Sequence, residues 1–196
     1  MLPLFDLRAS EDSPTGVVAA AALSASLALR VLKSVLEVTA RKQDSERLRE
    51  LIELAGQGAE HLVTLAAEDG AAYAAYLQAR RERSPHVQAA LRRAIESPLA
   101  AARAAAAAID LCAGAAGYAR GAIAADVGGA AALLAGAVRA ILCSLDANLC
   151  GLDDTVFARD VAAETRTLEE RTTAQAARVL AAVKTASNSD RLAPPA

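Results

Sequence analysis

One unbroken apolar stripe does most to limit how this chain can fold. Leu48, Leu51, Ile52, Ala55, Ala59, Leu62, Leu65 and Ala66 recur at the three- and four-residue spacing of a single helical face, and Tyr73 and Tyr76 carry it on. A strand would scatter these residues over two faces, so only a long helix aligns them. Such a helix needs an apolar partner along its whole length. The rest of the chain supplies partners of the same kind, because hydrophobic residues make up 54% of it while aromatics make up 3%. Ala and Leu are strong helix formers, and the β-branched and aromatic residues that favour strands are comparatively few. A core of Ala, Leu and Val forces its helices into close approach. The 196 residues suffice for one all-α domain with a sizeable core.

Punctuation along the chain divides it into about five to six helices. Pro14 suits entry into a first helix from near Gly16 to about Arg41, and Lys42-Gln43-Asp44-Ser45 breaks it. Asp44 or Ser45 is the expected N-cap of the second helix, which ends in the charged Arg80 to Arg83 before Ser84-Pro85. Gly70 weakens that helix locally beside Asp69. A third piece spans about His86 to Ser97. Pro98 then either starts a separate helix, Leu99 to about Ala116, or kinks a continuous one. Gly114, Gly117 and Gly121 loosen a loop at Tyr118-Ala119-Arg120.

The fifth helix is expected over about Ile123 to Cys143. Its Gly129, Ala132, Gly136 and Ala140 form a row of small residues that permits close backbone packing, within the chain or between subunits. Leu145–Asp154 reads as irregular, and the last helix as about Val156 to Ala186. The expected organisation is an N-terminal extension over 1–12, a helical domain over 13–186 and a disordered tail over 187–196.

Charge and cysteine usage exclude several classes of function. A net charge of -2 without a basic block gives no electrostatic case for nucleic acid. Leu99–Ala119 is interrupted by Arg103 and Asp110, and Gly121–Leu145 by Asp126 and Arg139, so neither run is expected to span a membrane. Asp6 and Arg8 come too early for a signal peptide's apolar region. Cys112, Cys143 and Cys150 lack metal spacing and read as reduced thiols in or near a helix core, in a cytoplasmic protein. No metal set, phosphate-binding loop, nucleophile elbow or dinucleotide fingerprint is present.

A few polar residues stand where apolar ones are expected. Seven residues on from Leu62, the stripe lands on Asp69. Its plain reading is a carboxylate reaching solvent or capping a kink; its chemical reading is a desolvated carboxylate that exchanges a proton near neutral pH. Asp126 lies among Ala, Val and Gly with no cation within a turn, so it either caps the fifth helix or needs a partner or ligand. Asn148 offers a donor and acceptors on one amide, or simply forms a turn. Tyr73 suits stacking on a flat heterocycle or filling the core, and Lys42 suits meeting a carboxylate or remaining in solvent.

These residues fall inside a longer order of motifs. Ser13-Pro14-Thr15-Gly16 opens the first helix, and Thr39 and Lys42 close it. Glu68-Asp69-Gly70-Ala71-Ala72-Tyr73, Ser97-Pro98-Leu99, Ala125-Asp126 with Gly128, and Ser144-Leu145-Asp146-Ala147-Asn148-Leu149 follow. In order and spacing they resemble the formiminotransferase-cyclodeaminase / methenyltetrahydrofolate cyclohydrolase family. The resemblance implies a homodimer with a folate pocket near the subunit interface and a tetrahydrofolate derivative as substrate or cofactor. It implies Asp69 and Asp126 as acid/base or iminium-stabilising carboxylates, Asn148 and Lys42 as orienting groups, and Thr15, Gly16, Tyr73 and Ser144 as further binding residues. The implied reaction adds water to, or expels ammonia from, the one-carbon unit bridging N5 and N10. Cyclohydrolase is slightly favoured over cyclodeaminase, since no formiminotransferase is fused to the domain.

Two segments depart from the family pattern. Val17, Val18 and Ala19 stand where two glycines and a serine are expected, and Ser144 stands where an Asn is expected. Glycines allow close backbone approach to a ligand, whereas valines add bulk there. A shifted one-carbon substrate follows from this, or alternatively a non-catalytic helical dimer that binds folate or acts as a scaffold.

Overall fold

The computed structural model describes residues 16–43 and 45–192. Five helices make up the fold among them: α1 (Val17–Ala40), α2 (Glu46–Arg81), α3 (Val87–Ala116), α4 (Ala122–Leu149) and α5 (Thr155–Leu192). Thr15, the 1–12 extension and residues 193–196 lie outside the described residues.

Local chemistry sets the corners. Ser45, in extended conformation, accepts a hydrogen bond from the Leu48 N–H at 3.2 Å and starts α2. Arg80 and Arg81 in the last turn of α2 oppose its negative dipole end, and Arg83 then adopts φ 51 to turn the chain. Gly121, at φ 54, makes the left-handed step into α4, where a side chain would be strained. Beside it the Arg120 guanidinium donates to the carbonyls of Gly117 and Ala119 at 3.3 and 2.8 Å. Asp154 caps α5 by accepting from the Phe157 N–H at 3.0 Å. Arg92 of α3 binds the same carboxylate and lies 4.0 Å above the Phe157 ring.

Short connections make sequence neighbours antiparallel, and α1 to α4 close into a ring around one core. Buried Ser26 donates to the Ala59 carbonyl at 2.8 Å, while Gly58 faces Leu29 and Gly56 faces Lys33, which fixes the antiparallel register of α1 and α2. Leu29, Leu32, Leu62, Ile109, Leu134 and Ile141 fill the centre. Between them, Ala22, Ala25, Ala55, Ala102 and Ala105 are wholly buried, which is how the aromatic-poor core achieves density.

The fifth helix lies outside the ring, parallel to α3 and antiparallel to α4. Arg103 forms a bidentate pair with Glu164 at 2.6 Å, and these hydrogen bonds hold the Glu164 carboxyl below its ordinary pKa. Asp110 accepts from Arg171 and Gln175, and Arg139 pairs with Glu169 at 3.3 Å. Three of the four charges that interrupted the apolar runs are therefore answered by α5. By length and composition α1, α3 and α4 are each apolar enough to cross a membrane; inside the bundle 44%, 50% and 50% of their most apolar windows are buried.

Several expected boundaries shift. Pro98 sits inside a continuous α3, so the two pieces around it are one helix and the count is five. α4 runs on to Leu149, so most of the segment read as irregular is helical, and α5 passes Ala186 to reach Leu192. Asp146 and Asn148 have strong turn preferences, but the packing of Leu142 and Leu145 overrides them. Cys112 is buried, and burial pushes its thiol up to about 12, but Cys143 and Cys150 are exposed.

Candidate functional site

Near one end of the ring a cavity of ≈ 400 Å³ opens where four helices meet. α1 contributes Val17 and Val18, preceded by Gly16. α2 contributes Asp69, Gly70, Tyr73 and Leu77, and α3 contributes Ala94. α4 contributes Ser144, Ala147 and Asn148. Two segments far apart in sequence, α2 and α4, thus bring together a carboxylate, an amide, a hydroxyl and a phenol. Larger concavities exist, such as one of ≈ 540 Å³ lined by Ala71, Ala75, His86 and Arg93, but it is mostly an alanine surface without a carboxylate.

Asp69 is the distinctive group. It is 7% exposed, and burial raises its pKa from 3.8 to about 6. Being on the inward face of α2, it arrives there because Leu62, Leu65 and Ala66 are buried one and two turns before it. Gly70 beside it meets nothing within 4 Å where a Cβ would stand, leaving that wall open, and α2 continues through this position unbroken. Tyr73 is half-buried, one turn on from Asp69, with its ring centroid 6.2 Å from that of Tyr76.

Two backbone features add polarity to the cavity wall. The first helical bond of α1 runs from the Ala20 N–H to the Gly16 carbonyl, so the N–H groups of Val17, Val18 and Ala19 have no acceptor within the helix. No acidic side chain occupies that first turn, and the positive end of the helix dipole lies beside the cavity. Opposite, Pro98 lacks the N–H that would ordinarily bind the carbonyl of Ala94. Neither valine closes the cavity: Val18 is buried in the core, and Val17 is 52% exposed.

Gly16, Asp69, Tyr73, Ser144 and Asn148 therefore share one cavity; Asp126 and Lys42 do not. Asp126 was expected to be buried or to cap its helix. Instead it is exposed, and it lies beyond the first turn of α4, whose N-cap is Gly121. It stands eighteen residues before Ser144 on one continuous helix, about 27 Å away at about 1.5 Å per residue. Lys42 is exposed just past the C-terminal end of α1, the far end from Gly16. Asn148, for which a binding amide and a turn were the two readings, lies in the last turn of α4. Leu77, Ala94 and Ala147 were not anticipated. Leu77 lies one helical step of four beyond Tyr73, Ala147 one step of three beyond Ser144, and Ala94 one step of four before Pro98. Among the described residues no group of three metal-ligating side chains occurs.

The fold and cavity define an all-α bundle with a ligand-sized cleft, built around one desolvated carboxylate. The sequence profile of the formiminotransferase-cyclodeaminase family matches residues 4–167. The chain belongs to that family. The crystal structure of formiminotetrahydrofolate cyclodeaminase from Thermotoga maritima is similar to it with a TM-score of 0.81, over 87% of this chain and 88% of that one, at 19% sequence identity. Likeness at that identity speaks to the fold alone. No curated protein sequence matches the chain.

Proposed function

We propose that the cavity binds the pterin and one-carbon portion of a tetrahydrofolate derivative, and that Asp69 moves the proton in a carbon–nitrogen bond change there. The observation that carries this reading is the company Asp69 keeps. A carboxyl titrating at about 6 shares its cavity with an amide, a hydroxyl and an aromatic ring. A pterin edge is amide-like, and the Asn148 side chain can both donate to it and accept from it. The Ala94 carbonyl, which Pro98 cannot serve as donor, is a further acceptor, the α1 N–H groups are donors for a carbonyl or carboxylate, and the Tyr73 ring offers a stacking surface.

Either family reaction uses one proton at this point. In a hydrolysis, the carboxylate takes a proton from water as the water oxygen bonds to the methenyl carbon, then returns it to one bridging nitrogen as the bond from carbon to that nitrogen breaks, and the hydroxyl proton passes to solvent as the formyl group forms. In a deamination, N10 attacks the formimino carbon, the N10 proton and the proton of the carboxyl both pass to the formimino nitrogen, and its bond to carbon breaks as it leaves as ammonia. A group near pH 6 populates both forms around neutrality, as acid/base catalysis requires. Val17 and Val18 in place of glycines, and Ser144 in place of Asn, support a one-carbon adduct different from ordinary methenyltetrahydrofolate. Hydrolysis of that compound is therefore expected to be weak or absent.

Absorbance loss of 5,10-methenyltetrahydrofolate, followed with purified protein against its spontaneous background, tests the reaction, with bound folate checked by mass spectrometry. Asp69→Asn is expected to lower turnover by about two to four orders of magnitude on whichever adduct is used. Full turnover in that variant would exclude Asp69. Folate bound with no turnover on any one-carbon adduct would favour a binding protein, and no folate bound would favour a scaffold.

A further inference from the structure

At the cavity end of the bundle α1 stops short of its neighbour α2. Their antiparallel register, set by Ser26 against Ala59 and Lys33 against Gly56, puts Val17 level with Gly70, and both line the cavity. α2 runs on for eleven more residues to Arg81, about 17 Å at about 1.5 Å per residue. The row of α2 that meets α1 through Gly56 and Ala59 continues at helical spacing through Ala66, Gly70, Ala74 and Leu77. Among the described helices α2 packs only against α1 and α3. α3 lies on its other side, where Ala72 and Ala75 share a concavity with Ala89 and Ala90. No described helix therefore lies over Ala74 and Leu77, which are half-buried. A groove of ≈ 660 Å³ is lined there by Ala71, Ala74, Leu77, Gln78 and Arg81. Leu77 also lines the cavity, so groove and cavity are neighbours.

We infer that residues 2–7 of the same chain dock in this groove, with Leu4, Phe5 and Leu7 against Ala74 and Leu77, and so close the outer side of the cavity. The chain enters α1 at Gly16, a cavity residue, so residues 1–15 start from the rim of the vacant column. Leu7 is nine residues from Gly16, a reach of up to about 30 Å at about 3.3 Å per residue, which exceeds the length of α2 left bare. Leu2, Leu4, Phe5 and Leu7 put four large apolar side chains into six residues, whereas 8–15 is mostly polar. Such a run gains by leaving water, and the half-buried row of α2 gains with it. The family profile matches from residue 4, so most of this segment is matched together with the helices.

Charge selects this groove over the other bare surface within reach. Asp6 stands among the apolar residues of the segment. In the groove Arg81 is exposed and has no ion pair among the described residues, while the Glu82 carboxylate beside it already accepts from Gln78 at 3.0 Å. On the outward face of α1, where Leu27 and Val31 are exposed, Arg30 and Lys33 already pair with Glu60 and Glu37. An aspartate carried into the groove thus meets a free guanidinium, and on α1 it meets cations that are taken. The closing of the cavity around a ligand rests on the folate reading above; the docking does not.

Disulfide trapping in the full chain tests the docking without any ligand. In a chain with Cys143→Ser and Cys150→Ser, Pro3→Cys with Gln78→Cys is expected to close a bond within one chain on mild oxidation. Pro3→Cys with Val31→Cys, on the outward face of α1, is expected to stay reduced. Both altered helix positions are exposed, so the variants keep the fold. Equal trapping at the two positions, no trapping at Gln78→Cys, or bonds only between chains overturns the inference. Tryptic cleavage after Arg8, at the edge of the segment, gives a second reading. Phe5→Ser and, separately, Leu77→Ser are each expected to speed that cut by about tenfold or more, because proteolysis follows the population of the open form. Equal rates in all three chains overturn the docking, and a faster cut in Phe5→Ser alone shows that the segment docks away from Leu77. Release of bound 5-formyltetrahydrofolate, followed by displacement, then tests the closing of the cavity. Phe5→Ser is expected to release it several-fold faster than wild type. Unchanged release removes the closing role. If wild type binds no folate, the folate reading fails and the closing role with it, while the docking stands or falls on the disulfides.

Discussion

Asp69 gives the site its chemistry, and it does so at a cost to the fold. The unfolded chain releases this proton near pH 3.8, whereas the folded chain holds it to about 6. Between those values the folded state binds more protons, so stability is greatest below 3.8, falls as pH rises toward 6 and is level above it. The shift corresponds to about 3 kcal/mol at most. Asp69→Asn keeps the volume without the charge. Its melting temperature is expected to exceed wild type by several degrees at pH 7.5 and to converge with it near pH 4. Equal melting curves at both pH values would show that the carboxylate is solvated in the folded protein. That residue was visible in the sequence because a carboxylate on an apolar stripe breaks a pattern. Ala94 and Ala147 were not, since an alanine that lines a cavity reads like one that fills the core.

At the scale of the helix, Pro98 deprives α3 of one backbone N–H donor. An interior proline removes one backbone hydrogen bond and costs about 3 kcal/mol relative to alanine. Pro98→Ala is expected to raise the melting temperature of the ligand-free protein, by less than that full amount because the buried ring is lost. If the Ala94 carbonyl serves the ligand, the same variant binds folate more weakly in equilibrium dialysis. Higher stability with unchanged binding would remove Ala94 from the site. Helix ends were harder to anticipate than helices. Ser45 had a capping side chain and its boundary was read correctly, whereas α4 runs through Asp146 and Asn148 because buried Leu142 and Leu145 hold that turn against the core.

Close helix approach dominates the molecule as a whole. Ala105 is fully buried between helices, and Ala107, half a turn away, is exposed. Ala105→Leu is expected to destabilise by about 1–3 kcal/mol through overpacking, while Ala107→Leu stays within about 0.5 kcal/mol; urea unfolding of the two variants checks the contrast. The α5 ion pairs are exposed and weigh less. Arg103→Met should cost about 1 kcal/mol or less despite its short bidentate contact with Glu164.

The sequence by itself determined the helical class, the apolar face of α2, the inward position of Asp69 and the family. Each of these depends on local periodicity or on the order of short motifs, which a linear chain displays. Only the tertiary structure decided which candidates meet. Ring closure brings the start of α1, the C-terminal third of α2 and the end of α4 to one cavity, and the rigid length of α4 holds Asp126 far from it in the same chain. Spacing along a sequence carries no information about which ends of antiparallel helices coincide, because that is set by the packing of side chains across the bundle.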